Sequence, residues 1–144
     1  MIDLKRQEEL RASIEIFYFA YRAFTARPDR ILKQRGLGRV HHRILYFVGR
    51  NPEIVVNDLL NILDVSKQAL NAPLRQLIEM KLVAARVAPQ DRRYKQLRLT
   101  AAGEKLESQL TGTQLMHLAN VFETTGSKAE KAWQAIMQTV PEKA

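Results

Sequence analysis

Lys67, Gln68, Asn71 and Arg75 fall close together in VSKQALNAPLRQLIEMKL, residues 65–82, a stretch whose leucines recur at helical spacing. Counted at about 100° per residue from Lys67, Gln68 lies at about 100°, Asn71 at about 40° and Arg75 at about 80°. The four therefore share one arc of the first helical turns. Side chains of these types read base-pair edges: Arg grips O6 and N7 of guanine, Asn or Gln grips N6 and N7 of adenine, and Lys67 suits a phosphate or a guanine. A solvated face usually mixes signs, whereas here the first acid after Asp64 is Glu79. Ser66 is placed to cap the helix and completes this candidate DNA-contact set.

The elements that must hold this ridge are legible around it. Leu70, Leu74, Leu77 and Ile78 form the inward face of the same helix. Pro73 lies at about 240°, away from the ridge. It costs ~3 kcal/mol in a helix interior, and burial of the four apolar residues at ~1.5–3 kcal/mol each outweighs that cost. One kinked helix is expected, not two. Upstream, Ile54, Val55 and Val56 suit a short strand, and Asn57 is placed to cap a helix carrying Leu59, Leu60 and Leu63. Asp64, Val65 and Ser66 then make the turn of a helix-turn-helix.

Downstream, VAARVAPQDRRYKQLRLT, residues 83–100, reads as a strand, a tip and a returning strand. Val83, Ala85 and Val87 alternate with less buried neighbours, Leu97 and Leu99 do the same on the return, and Pro89, Gln90 and Asp91 supply the turn. Arg86, Arg92, Arg93, Lys95 and Arg98 make the hairpin basic, as a wing following a helix-turn-helix would be.

Both chain ends are helical. Leu10, Ile14, Phe17, Tyr21 and Phe24 line one seam of a first helix, which Arg27-Pro28 interrupts before a Gly36 to Gly38 connection and a second helix over Val40, Ile44, Phe47 and Val48. Asn51-Pro52 ends that second helix. Thr100 caps a helix running to Gly126 through Leu106, Leu110, Leu115, Leu118 and Phe122. Ser127 and Glu130 have capping-box spacing ahead of Trp133, Ile136, Met137 and Val140. These stripes are wider than a small lobe can cover, which predicts a homodimer built from both ends.

Charge follows the same division. Of the formal +8, residues 27–98 hold fifteen basic and six acidic side chains, while residues 1–26 and 99–144 are close to neutral. A basic centre between neutral ends suits nucleic acid, because released counterions supply most non-specific affinity. Cysteine is absent, which excludes disulfides, thiolate metal sites and cysteine nucleophiles. His41 and His42 are neighbours pointing about 100° apart, so no metal is expected. No glycine-rich phosphate loop, nucleophile elbow or partnered carboxylate pair is present, and no enzyme or cofactor is expected. No signal peptide or membrane span is legible, so the cytoplasm is the expected compartment. Phe17, Tyr18, Tyr21, Phe24 and Tyr46 suit interface and core packing.

The run from Val56 to Leu106, with VNDLLNILDVSKQALNAPLRQLIEMKLV, APQDRR and LRLTAAGEKL, resembles the MarR family of bacterial and archaeal winged-helix transcription regulators. Its most specific parts are Leu99, Thr100 and Gly103 and the wing residues Asp91, Arg92 and Arg93. The resemblance implies a mostly α fold with a small β-hairpin wing. Residues 36–100 would form the winged helix-turn-helix lobe, and residues 1–35 and 101–144 the dimerisation helices of a single domain. It implies a homodimer on duplex DNA, a recognition helix in each major groove and a wing at each minor groove. Arg93 matches the wing-tip arginine and Asp91 the acid that orients it, while Ser66, Lys67, Gln68, Asn71, Arg75, Arg92 and Lys95 complete the expected contacts. Family members often bind small aromatic or lipophilic effectors between the dimer and DNA-binding lobes, so the resemblance gives Phe17, Tyr18, Tyr21, Phe24 and Tyr46 a second reading as the lining of an effector cleft. Two departures stand out: Lys81 where the family commonly has glycine, and Ala72-Pro73 where larger or polar residues are usual. The expected function is a sequence-specific regulator, a repressor in the first instance; the alternative is a winged-helix interaction scaffold without specific DNA binding.

Overall fold

The computed structural model describes residues 1–141. Six helices and three strands follow in the order α1 (Leu4–Gln34), α2 (Arg39–Arg50), β1 (Ile54–Val55), α3 (Val56–Leu63), α4 (Lys67–Glu79), β2 (Val83–Ala88), β3 (Asp91–Leu99), α5 (Ala101–Thr125) and α6 (Ser127–Thr139). The strands form one antiparallel sheet in the order β1-β3-β2, with Ile54 opposite Leu97 and Ala85 also opposite Leu97. This is a mostly helical winged helix-turn-helix.

One core holds the lobe together. Leu32 of α1, Ile44, Leu45 and Val48 of α2, Leu59 of α3, Leu70 and Leu77 of α4, Leu97 of β3, and Leu106 and Leu110 of α5 are all buried there. The inward face expected for α4 is therefore observed, with Ile78 packed at its margin.

Helix ends follow their chemistry. Ser66 Oγ accepts from the Ala69 N–H at 3.1 Å and Thr100 Oγ1 from the Gly103 N–H at 3.0 Å, as the sequence predicts. At the end of α4, the Lys81 N–H donates to Ile78 O at 3.0 Å and the Leu82 N–H to Leu77 O at 2.9 Å. This double bond pattern closes a helix through a left-handed residue, normally glycine. Lys81 takes that role itself at φ 61°. A lysine side chain thus stands on a backbone conformation that glycine usually takes.

Several expectations are corrected. Pro28 does not interrupt the first helix, because α1 continues through it to Gln34, with Thr25, Pro28 and Leu32 buried. Packing against the lobe outweighs the lost backbone bond. The last turns of α1 and the first turns of α5 pack into the lobe's core through Leu32, Leu106 and Leu110; the end of the 101–144 segment, residues 142–144, lies outside the described residues. Asn57 is not a cap: α3 begins at Val56 after Val55, with no side-chain cap bond. Ser127 makes no capping box, since Gly126 at φ 97° stands at the N-cap. Of the hairpin's alternating apolar residues Val83 and Leu97, nearest the lobe, are buried and Leu99 is half-buried, whereas Ala85 and Val87 are exposed.

Across Pro73, α4 remains a single helix. The ring leaves the Ala69 carbonyl without its helical donor. Pro73→Ala should stabilise the protein by about 1–3 kcal/mol, the restored bond being partly offset by a more flexible unfolded chain. A thermal melt several degrees above wild type checks this; a lower melt would sink the account.

Candidate nucleic-acid interface

Lys67, Gln68, Asn71 and Arg75 are all exposed on α4, while Leu70, Leu74 and Leu77 of the same helix are buried. Their shared arc is thus free for a partner. Ser66 is exposed at the same helix tip, its hydroxyl engaged as the cap.

The helix is also tied from behind. His41 of α2 is buried, its Nδ1 accepting the Gly38 N–H at 2.9 Å and its Nε2 lying 2.9 Å from Gln76 Oε1. With Nδ1 occupied as an acceptor, Nε2 carries the proton and donates to Gln76. The Gln76 amide in turn donates to Gly36 O at 3.4 Å. Helix α4 and the α1–α2 corner are pinned together, a link that the residue types alone did not suggest. No periodicity marks a contact between positions 35 residues apart.

At the wing, β2 and β3 join through Pro89-Gln90, and the ladder shifts register between Val87 and Ala88. That irregularity concentrates twist at the tip. Asp91 then grips Arg93 twice over: Oδ1 accepts the Arg93 backbone N–H at 3.0 Å and Oδ2 accepts Nη2 at 2.7 Å, with Nε between both oxygens. The Arg93 side-chain hydrogen bond, with its backbone N–H second, holds the Asp91 carboxyl below its usual range, and Asp91 in turn raises Arg93. Arg93 stays 80% exposed, so the fork aims the guanidinium outward without using it up. Its Cζ lies 5.7 Å from the Tyr94 ring centre, a contact absent from the sequence reading. Arg92 and Lys95 are exposed beside it.

Two other wing arginines are spent inward. Arg86 Nη2 lies 3.0 Å from Glu53 Oε2, and Arg98 Nη2 bonds the other Glu53 oxygen. Arg98 first, then Arg86, holds the Glu53 carboxyl low. Glu53 is distant from both in sequence, and nothing local announced it.

Behind the lobe, α1, α2 and α5 enclose a cleft of about 350 Å³, lined among others by Phe24, Arg39, His42, Tyr46 and Leu118. Arg39 Nη2 pairs with Asp29 at 2.9 Å. His42 Nε2 lies 3.2 Å from Thr111 Oγ1, whose hydroxyl bonds Glu107. Burial pushes the His42 imidazole below its usual pKa, which favours the neutral ring. Of the five aromatic residues, Tyr21, Phe24 and Tyr46 line this cleft, whereas Phe17 and Tyr18 stay exposed on α1.

Residues 35–93 match the sequence model of the MarR family. Over 133 residues the chain is 41% identical to the HTH-type transcriptional regulator PetP of Rhodobacter capsulatus, a match that covers 92% of this chain and 80% of PetP. The crystal structure of the S. aureus MepR–DNA complex superposes with a TM-score of 0.71 at 20% identity, covering 87% of this chain and 93% of that one. NadR in complex with 4-hydroxyphenylacetate superposes with a TM-score of 0.72 at 22% identity, covering 86% and 88%. These two structures speak to the fold, and the relation to PetP to descent. Together with the family match across the helix-turn-helix and wing tip, they make this chain a member of the MarR family of HTH-type transcriptional regulators.

Proposed function

We propose that the protein is a cytoplasmic repressor that binds a pseudo-palindromic operator as a homodimer and is released by a small aromatic or lipophilic effector. The observation that carries the reading is the pairing of two exposed cationic devices on one lobe: the Lys67, Gln68, Asn71 and Arg75 ridge, and Arg93 aimed outward by Asp91. A helix tip for a major groove and an arginine for a narrow minor groove are complementary readers of one duplex.

A second copy of the chain suits the apolar ends. Ile14, Ile16, Phe17, Tyr18 and Phe19 are 49–69% exposed around α1, and α6 buries nothing against its own lobe. A helix apolar on opposed faces needs cover on both. For the effector, the aromatic and cationic lining of the α1–α2–α5 cleft fits a small aromatic acid such as the one NadR holds. Such a ligand acts by preferring one spacing of the two recognition helices over another.

Selection of bound fragments from a random duplex pool tests the reading. An inverted repeat should emerge, with half-sites about 10–10.5 base pairs apart, one helical turn. Failure to enrich any sequence, together with a shallow salt dependence, would instead favour an interaction scaffold.

A further inference from the structure

The wing carries five cations, but their placement divides them. Arg92, Arg93 and Lys95 lie beyond or beside the tip, whereas Arg86 and Arg98 turn back to a single carboxylate. That carboxylate is firmly located. Glu53 sits in the turn between α2 and β1 at φ 71°, and its N–H donates to Leu97 O on β3 at 3.0 Å. A left-handed backbone is unfavourable for a side chain of this kind. Glutamate therefore occupies the position despite the backbone, and its two ion pairs are what the side chain contributes there.

The two arginines it holds are near enough to matter for DNA. Arg86 is two residues from the end of β2, about 7 Å at ~3.3 Å per residue, and its side chain is 58% exposed. Released from Glu53, it would reach phosphates flanking the groove that the tip enters. Arg98, 57% exposed, would add to the same field, since screening in physiological salt acts over about 8 Å. Phosphate contacts raise affinity for every sequence alike, while base and groove-width contacts discriminate.

We propose that Glu53 sets the sequence discrimination of the wing by withholding Arg86 and Arg98 from the DNA backbone, so that Arg93 dominates what the hairpin contributes. This rests on the DNA-binding reading above. Glu53 is a positioning residue here, acting through the two arginines.

The test is Glu53→Gly, because glycine accepts φ 71° without strain and so removes the carboxylate without straining the backbone. Glu53→Gln serves as the conservative companion. Binding to a random-sequence duplex and to a duplex enriched by the wild-type protein is followed by fluorescence anisotropy between about 50 and 300 mM salt. Each phosphate contact adds about −0.9 to the log-log slope, so both variants should bind random duplex with a slope steeper by about 1–2. Their preference for the enriched duplex should fall severalfold. Adding Arg86→Gln and Arg98→Gln to Glu53→Gly should return the slope to the wild-type value, a reversal that a merely structural role would not produce. An unchanged slope in the single variants, or a triple variant that stays steep, overturns the proposal. Absence of any enriched duplex for the wild type would strike the DNA-binding reading itself, a separate result.

Discussion

Arg93→Ala should lower affinity for the selected operator by roughly tenfold or more while leaving the thermal melt near wild type. The asymmetry comes from exposure. The Asp91–Arg93 pair is solvent-facing, and such pairs add little to folding. In a minor groove the same guanidinium enters a field concentrated by two phosphate backbones. Asp91 engages Nε and Nη2, leaving the remaining N–H groups of the planar fork for the DNA.

The prediction has internal controls. Asp91→Asn should cost less than Arg93→Ala, because it loosens the aim of the guanidinium without removing it. Arg92→Ala should cost less as well, since no side chain in the described structure orients Arg92. If Arg93 reads groove width, its substitution should matter most where the wing meets A·T pairs and fade when those pairs are made G·C. Anisotropy titrations on the two duplexes decide this; a loss below twofold on the A·T duplex would refute the role assigned to Arg93.

Gly103→Ala should produce the largest loss of stability of any single methyl addition in the lobe. A Cβ at Gly103 would lie 1.9 Å from the Leu82 carbonyl oxygen and 2.9 Å from its carbon. That oxygen cannot step aside, for it accepts the Thr100 N–H at 3.1 Å, and Thr100 Oγ1 also donates to Lys81 O at 2.6 Å. Leu82 is itself buried. The start of α5 and the chain leaving α4 would have to separate, breaking this junction and opening the core beneath. Overpacking of this severity costs ~3 kcal/mol or more, a large share of the ~5–15 kcal/mol that holds a domain folded. The melting temperature should fall by roughly 10 °C or more. A variant melting within about 2 °C of wild type would show that the contact relaxes far more easily than its geometry implies.

These residues also mark how far sequence reading reaches. Ser66 and Thr100 were legible because a cap is local: a hydroxyl and the N–H three residues on. The α4 ridge was legible because helical period alone places Lys67, Gln68, Asn71 and Arg75 together. Misreadings arose where tertiary contacts overrule local preference. Pro28 looks like a break until Leu32 beyond it is found in the core, and Asn57 looks like a cap until the strand ends one residue early and helix begins at Val56. Gly103 belonged to a recognisable motif, yet its reason, a carbonyl 21 residues upstream, is visible only in the fold. Glu53 and the His41–Gln76 bond had no signal at all, because each joins positions more than 30 residues apart through geometry alone.

The unbroken first helix has a mechanical consequence. At ~1.5 Å per residue its 31 residues form a lever about 46 Å long, with the apolar stretch around Phe17 at mid-span and Leu32 embedded at the fulcrum. A helix that continues through its proline transmits tilt from one end to the other. Rotation by about 5° moves one end by about 4 Å relative to the other, close to the ~3.4 Å rise between stacked base pairs. In the homodimer proposed above, small adjustments where two copies meet would thereby be magnified to the scale on which a duplex is indexed.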